Sequence, residues 1–273
     1  LTVTLIDAAA AVLRAAEPAA KVAAAEAADW LARSGAPLGA DTSSAPETPA
    51  RPDRPRLVAP SEVSRRRLGT PLGRAALLHA IAHIEFNAID LAFDMACRFV
   101  PALQADGLDA RAFAVDWISV GGEEASHFSL LEDRLAALGC RYGDHPAHNG
   151  LWEAAAKTRG EVLARLAIAP LILEARGLDV TPDMIERLRA AGDGDSAAAL
   201  EVIYREEVGH VACGKRWFDA LCAARGLEPI ETFTLLRRKY FPGSLKPPFN
   251  HEARALAGLP RAFYEPIGNE TGV

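Results

Sequence analysis

Residues 123–127 read Glu-Glu-Ala-Ser-His, and residues 206–210 read Glu-Glu-Val-Gly-His. Each run holds a Glu-x-x-His step, Glu124 to His127 and Glu207 to His210. Positions three apart share one face of an α-helix, so each carboxylate points the same way as its imidazole. A lone carboxylate lies upstream of each step in an apolar stretch: Glu85 in Ala-His-Ile-Glu-Phe (82–86) and Glu174 in Leu-Ile-Leu-Glu-Ala (171–175). The order Glu, Glu-x-x-His, Glu, Glu-x-x-His predicts an all-α four-helix bundle with a di-iron or di-manganese ligand set inside it.

The ligands fall on apolar stripes. Leu200, Ile203, Glu207, His210, Gly214, Trp217 and Leu221 alternate steps of three and four, the spacing of an inner helix face. Trp117, Val120, Glu124, His127 and Leu131 follow the same rule, as do Leu78, Ile81, Glu85, Ala88, Ala92 and Phe99. The third stripe, Ala167, Pro170, Glu174 and Leu178, is less regular. Four carboxylates are therefore expected in the core. Burying one unpaired carboxylate costs several kcal/mol. No Lys or Arg falls on these stripes to compensate, so a pair of divalent cations is the expected counter-charge. Hard carboxylates with two imidazoles favour iron first, manganese second and zinc last, and no Cys joins the set. Two such ions are expected about 3.5–4 Å apart. Metal-bound imidazoles donate their other N–H to a carboxylate, so Glu206 is expected to orient His127, and Glu123 to orient His210.

Half of the 273 residues are hydrophobic, and alanine is abundant. That composition favours helices, and no alternating Val, Ile and Thr run with hairpin turns competes. The net charge of −6 gives no global reason to expect nucleic acid. No uninterrupted apolar run reaches the ~20 residues of a membrane span, and the N-terminus lacks a basic region before an apolar core. Cys97, Cys140, Cys213 and Cys222 form no Cys-x-x-Cys pair and read as reduced, buried thiols in a cytoplasmic protein.

Along the chain, residues 7–33 read as one Ala-rich helix. Residues 36–60 carry six prolines and read as an extended strap over the outside of the bundle. Six arginines between Arg51 and Arg67 make the strap basic. They are expected in solvent, with contact to RNA phosphate as the functional alternative. Thr70-Pro71 starts the first bundle helix, which runs to about Val100. Asp109 caps the second, which stops at Gly139. The third runs from about Leu151 to Arg176, with a kink at Pro170. Thr181-Pro182 opens a short inserted helix over 182–191, and Asp195 or Ser196 caps the fourth long helix, ending at Gly226. Pro242, Pro247 and Pro248 break the rest into a tail, where His251 and Glu252 are surface or packing residues. The expected divisions are 1–60 for the N-terminal helix and strap, 61–240 for the bundle and 241–273 for the tail. Glu85 precedes its Glu-x-x-His by 39 residues and Glu174 precedes its own by 33, which reads as a two-helix repeat about a pseudo-twofold.

These residues resemble the ferritin-like superfamily. More closely, the chain resembles the bacterial family called DUF455. The resemblance rests on Leu-Leu-His-Ala-Ile-Ala-His-Ile-Glu (77–85), Ala-Ile-Asp-Leu-Ala (88–92) and Glu-Ala-Ser-His-Phe (124–128). Glu-Ala-Arg-Gly-Leu-Asp (174–179), Glu-Glu-Val-Gly-His-Val (206–211) and Asn-His-Glu-Ala-Arg (250–254) extend it over nearly the whole chain. It implies a ferritin-like bundle with Glu124 and Glu207 bridging two irons. Glu85 with His127 would complete one ion, and Glu174 with His210 the other. The leading expectation for the activity of such a centre is an O2-dependent oxidoreductase, a hydroxylase above all. The alternatives are a rubrerythrin-like peroxide scavenger, whose usual four-cysteine iron centre has no counterpart here, and iron binding or storage without turnover. The expected partners are O2 or peroxide, a small-molecule or RNA substrate, an external electron donor and a second copy of the chain in a homodimer, with no membrane. Small residues near the ligands, Ala88, Ala92, Ala125 and Gly209, leave room for a channel or equally allow close helix packing.

Overall fold

Thr70 accepts a hydrogen bond from Gly73 N (3.1 Å), and Pro71 at the first helical position has no N–H to satisfy, so the longest apolar stretch starts its helix there. The computed structural model describes residues 3–39, 45–63 and 68–265. Among them every regular element is helical, and the nearest approach to a sheet is one parallel bridge between Leu57 and Ala147. The helices are α1 (Leu5–Arg14), α2 (Pro18–Arg33), α3 (Pro71–Arg98), α4 (Val100–Ala105), α5 (Ala110–Ala137), α6 (Gly150–Thr158) and α7 (Val162–Ile168). A π-helical turn (Ala169–Glu174) runs on into α8 (Ala175–Ala190), followed by α9 (Gly194–Ala224), α10 (Pro229–Tyr240) and α11 (His251–Leu256).

α3 packs along α5, α8 along α9, and α5 meets α9 between the two pairs. The short connection through α4 folds α5 back on α3 as an antiparallel neighbour. Contact is close where Gly121 and Gly122 stand on α5. A Cβ at Gly122 would meet Asp29 Cβ of α2 at 3.0 Å, and one at Gly121 would run into the Phe93 ring of α3. α3 is long and apolar enough to span a membrane by composition, but 78% of its most apolar window is buried. It is a core helix of the bundle.

Several boundaries differ from the sequence expectations. The N-terminal helix is two, because Pro18 pushes Glu17 out of the helical region (ψ 136°) and begins a second helix. Residues 151–176 do not form one kinked helix. The chain breaks between Thr158 and Val162 around Gly160, and Pro170 lies inside the π turn, whose wider spacing tolerates a missing N–H. No separate helix is inserted at 182–191, since α8 runs through Pro182. Pro182 cannot donate to Leu178 O four residues back. Asn250 Nδ2 does so instead, at 3.2 Å. The cap of α9 is Asp193, which accepts from Ser196 N at 3.1 Å, two residues before the expected position. α10 follows Gly226 directly.

The described part of the strap, residues 45–63, is bonded along the bundle. Ala50 N donates to Leu13 O (2.8 Å), Arg98 to Pro46 O (2.8 Å) and Val58 N to Ala147 O (2.8 Å). Pro49 and Pro55 are buried. Arg51 departs from the expectation of a solvated basic strap. It turns inward to Asp90 (3.2 Å), against the rings of Phe86 and Trp152. Arg54 and Arg56 are exposed, and Arg65, Arg66 and Arg67 lie outside the described residues. Within the described part of the tail, residues 241–265, Arg254, 2% exposed, forks onto Asp179 of α8 at 2.8 and 2.7 Å. His251 stacks on Tyr264 and bonds its hydroxyl (3.0 Å), a packing role.

Candidate metal centre

α3, α5, α9 and the π turn before α8 each bring one carboxylate toward one point. Glu85, Glu124 and His127 are buried, 3%, 0% and 1% exposed. His210 is 1% exposed, and Glu207 keeps 12% of its side chain in solvent. Ligand atoms of Glu85, Glu124, His127 and Glu207 all lie within 4.8 Å of one another, a cluster that could hold a metal ion. Glu124 sits between the two imidazoles. Its Oε2 is 3.5 Å from His127 Nδ1, and its Oε1 is 3.0 Å from His210 Nδ1. Glu85 Oε2 approaches His127 Nδ1 at 3.3 Å, and Glu207 Oε2 approaches His210 Nδ1 at 3.8 Å. The two rings are 5.6 Å apart, centroid to centroid. Glu174, the last residue of the π turn, lies outside the tightest group. Its residue is partly exposed, but its Oε2 is enclosed, and Glu207 and Glu124 act on it electrostatically.

The far side of each ring is held by the opposite helix. His127 Nε2 is 2.9 Å from Glu206 Oε2, and His210 Nε2 is 2.8 Å from Glu123 Oε2. α5 and α9 thus exchange carboxylates, each supplying the partner of the other's imidazole. Both carboxylates are in part solvent-exposed, 36% for Glu206 and 47% for Glu123.

The electrostatics show what the cluster lacks. Burial pushes the Glu85, Glu174 and Glu207 carboxyls up, and neighbouring carboxylates push them further. Burial acts the same way on Glu124, but His210 and His127 beside it hold its carboxyl below the usual range. Burial would lower both imidazoles. At His127 the Glu124 and Glu85 carboxylates overcome it and push the imidazole up to about 11. At His210 the Glu124 carboxylate, with Glu123 and Glu207, overcomes it and raises the ring well above its ordinary value. These buried side chains gather protons because four carboxylates at close range demand positive charge. The donor atoms that converge have no hydrogen-bond partner: Glu85 Oε2, both oxygens of Glu124, His127 Nδ1, Glu174 Oε2, Glu207 Oε2 and His210 Nδ1. Orphaned oxygens and imidazole nitrogens facing one another fit a bound metal ion.

Other features had no signal in the motifs. Behind Phe86, Lys21 of α2 is fully buried, 2.5 Å from Asp90. One turn on, Asp94 binds Arg165 and Arg98, each at 2.6 Å. Asp90 and Asp94 in an apolar helix were the only hint, since their partners lie 69 and 71 residues away. Of the small residues expected to border a channel, Gly209 faces outward, while Ala88, Ala92 and Ala125 are packed in the core. All four cysteines are buried and unbridged.

A family profile described as "Protein of unknown function (DUF455)" matches residues 14–265. An "Uncharacterized protein" of Haemophilus influenzae is 46% identical over 208 residues, 76% of this chain and 72% of its own. No solved structure matches the chain.

Proposed function

The chain belongs to the DUF455 family, and from the geometry of its buried cluster we propose that it is a ferritin-like di-iron protein, an O2-dependent oxidoreductase of the hydroxylase type. The observation that carries this reading is the position of Glu124, which presents one oxygen to each of two imidazoles whose other nitrogens are each held by a carboxylate. Glu85 with His127 would hold one ion and Glu174 with His210 the second, with Glu124 and Glu207 between them. A pair of iron ions held there supplies two-electron reduction of O2 and oxygen transfer to a C–H bond.

The chain's own residues set the conditions for that chemistry. Glu206 accepts from His127 Nε2–H and Glu123 from His210 Nε2–H, which fixes the tautomers and aims both Nδ1 lone pairs into the cluster. Being half in solvent, the same two carboxylates can pass protons between water and the imidazoles. Apolar Phe86 and Phe128, in contact at 5.3 Å between centroids and both fully buried, exclude water on the α3–α5 side. No rubredoxin-type cysteine group accompanies the cluster among the described residues, which favours a hydroxylase over a rubrerythrin-like peroxidase.

The test is O2 uptake by the iron-loaded, chemically reduced protein, with and without a cell extract as substrate source. Uptake that rises with extract and yields an oxygenated product supports the proposal. Rapid peroxide consumption without any substrate would replace it with a scavenging role. Iron retained with no turnover of either oxidant would leave binding or storage.

A further inference from the structure

A cavity, chemically different from the Glu and His cluster, lies against α3. It has a volume of about 150 Å³ and is walled by Leu77, Ile81 and Ile84 of α3, Leu151, and Met184 of α8. Its polar lining is His83, Asn87 and His148. An apolar cavity of about this volume takes up benzene in an engineered protein core.

Each polar group has a defined state. His83, 5% exposed, has Nδ1 at 2.8 Å from the Tyr142 hydroxyl and Nε2 at 3.2 Å from His148 O. No carboxylate hydrogen-bonds the ring, so it carries no stabilised charge. Asn87, 1% exposed, donates from Nδ2 to His83 O at 2.6 Å. That bond fixes the amide orientation and leaves Oδ1 as its free end, buried and without a hydrogen-bond partner. An unpaired buried carbonyl costs about 1–3 kcal/mol, so a site that leaves one on its wall favours a ligand that donates to it. His148 Nδ1 accepts from Gly150 N at 3.2 Å, so the N–H of the ring lies on Nε2. The cavity therefore offers an apolar body space and one inner acceptor, with no carboxylate, lysine or arginine in its lining. Ile84, 44% exposed, stands at the mouth.

We propose that this cavity binds a small uncharged hydroxyl compound of phenol size, with its O–H donating to Asn87 Oδ1 and its ring against Ile81, Ile84 and Met184. The site is independent of the metal reading, because none of its contacts is a member of the Glu and His cluster.

Phenol is the probe and benzene its control, read by amide chemical shifts of the full-length protein. Phenol should give saturable shifts centred on Ile84, Asn87 and His148, and benzene should bind about tenfold more weakly, the loss of one buried hydrogen bond. Asn87→Leu should reduce phenol to the benzene level. Ile84→Trp, at an exposed position, should block both probes with an unchanged melting temperature, and it keeps the test open if Asn87→Leu fails to fold. The proposal is overturned if neither probe saturates, if phenol and benzene bind equally, or if Ile84→Trp leaves both bound.

Discussion

Gly214 of α9 faces Pro170 of the π turn, and a methyl group there would sit on Cβ and Cγ of the proline ring. Favourable carbon–carbon contact needs roughly 3.5–4.0 Å, and the built Cβ lies far inside it. A proline ring cannot swing away, so α9 and the π turn would have to part. Overpacking of this kind costs about 1–3 kcal/mol, while replacing a helical glycine by alanine returns about 1 kcal/mol. At the middle of that range the clash wins, and Gly214→Ala should lose about 1 kcal/mol. Gly209, five residues earlier on the same helix, is exposed and has nothing within 4 Å of its own built Cβ. Gly209→Ala should gain about 0.5–1 kcal/mol. Urea unfolding of both variants without metal should separate them by ~1.5–2 kcal/mol, one below and one above the unaltered protein. If Gly214→Ala proves as stable as Gly209→Ala, the close approach of α9 to the turn that carries Glu174 is wrong, and with it the placement of Glu174.

Three further outcomes are expected. Glu206→Ala should weaken metal affinity about 10–100-fold by freeing the His127 ring, with little change in melting temperature of the metal-free protein; calorimetric titration with Mn(II) reads it. Lys21→Ala strands Asp90 with Arg51 alone and should cost on the order of 3 kcal/mol by denaturant unfolding, the low end for a broken buried pair. Burial, then the Asp94 carboxylate, pushes the Cys97 thiol up to about 12 in the folded protein, against the opposing Arg98 and Arg14 and with Asp7 adding to the rise. Its stabilising contribution is complete below the ordinary thiol value near 9. It falls by about 1.4 kcal/mol per pH unit from there toward 12. Cys97→Ala should remove that part of the alkaline slope, and an unchanged slope would contradict the burial argument.

How legible was this in the sequence? The Glu-x-x-His steps and their stripes were local, and the helices follow them with Glu85, Glu124, His127, Glu207 and His210 on facing surfaces. The exchange of Glu206 and Glu123 between α5 and α9 was readable because both runs begin Glu-Glu. Elements set by distant partners were not. Pro182 looked like a helix start because the donor to Leu178 O is Asn250, 72 residues on. Pro170 looked like a kink because a π turn is fixed by packing on Gly214, which sequence spacing cannot show. Arg51 read as solvated because its partners, Asp90 and Trp152, come from two other segments. Lys21 had no local sign of burial at all, sitting in an Ala-rich helix where a lysine is ordinarily a solvent-facing residue.

In the proposed centre six residues on four helical segments would hold two metal ions. Metal analysis after anaerobic reconstitution with Fe(II) and desalting tests it most directly, with Glu124→Ala carried in parallel. Two equivalents per chain are expected in the unaltered protein, and both should be lost in the variant, since Glu124 faces both imidazoles. Less than one equivalent in the unaltered protein, or two retained in the variant, would contradict it.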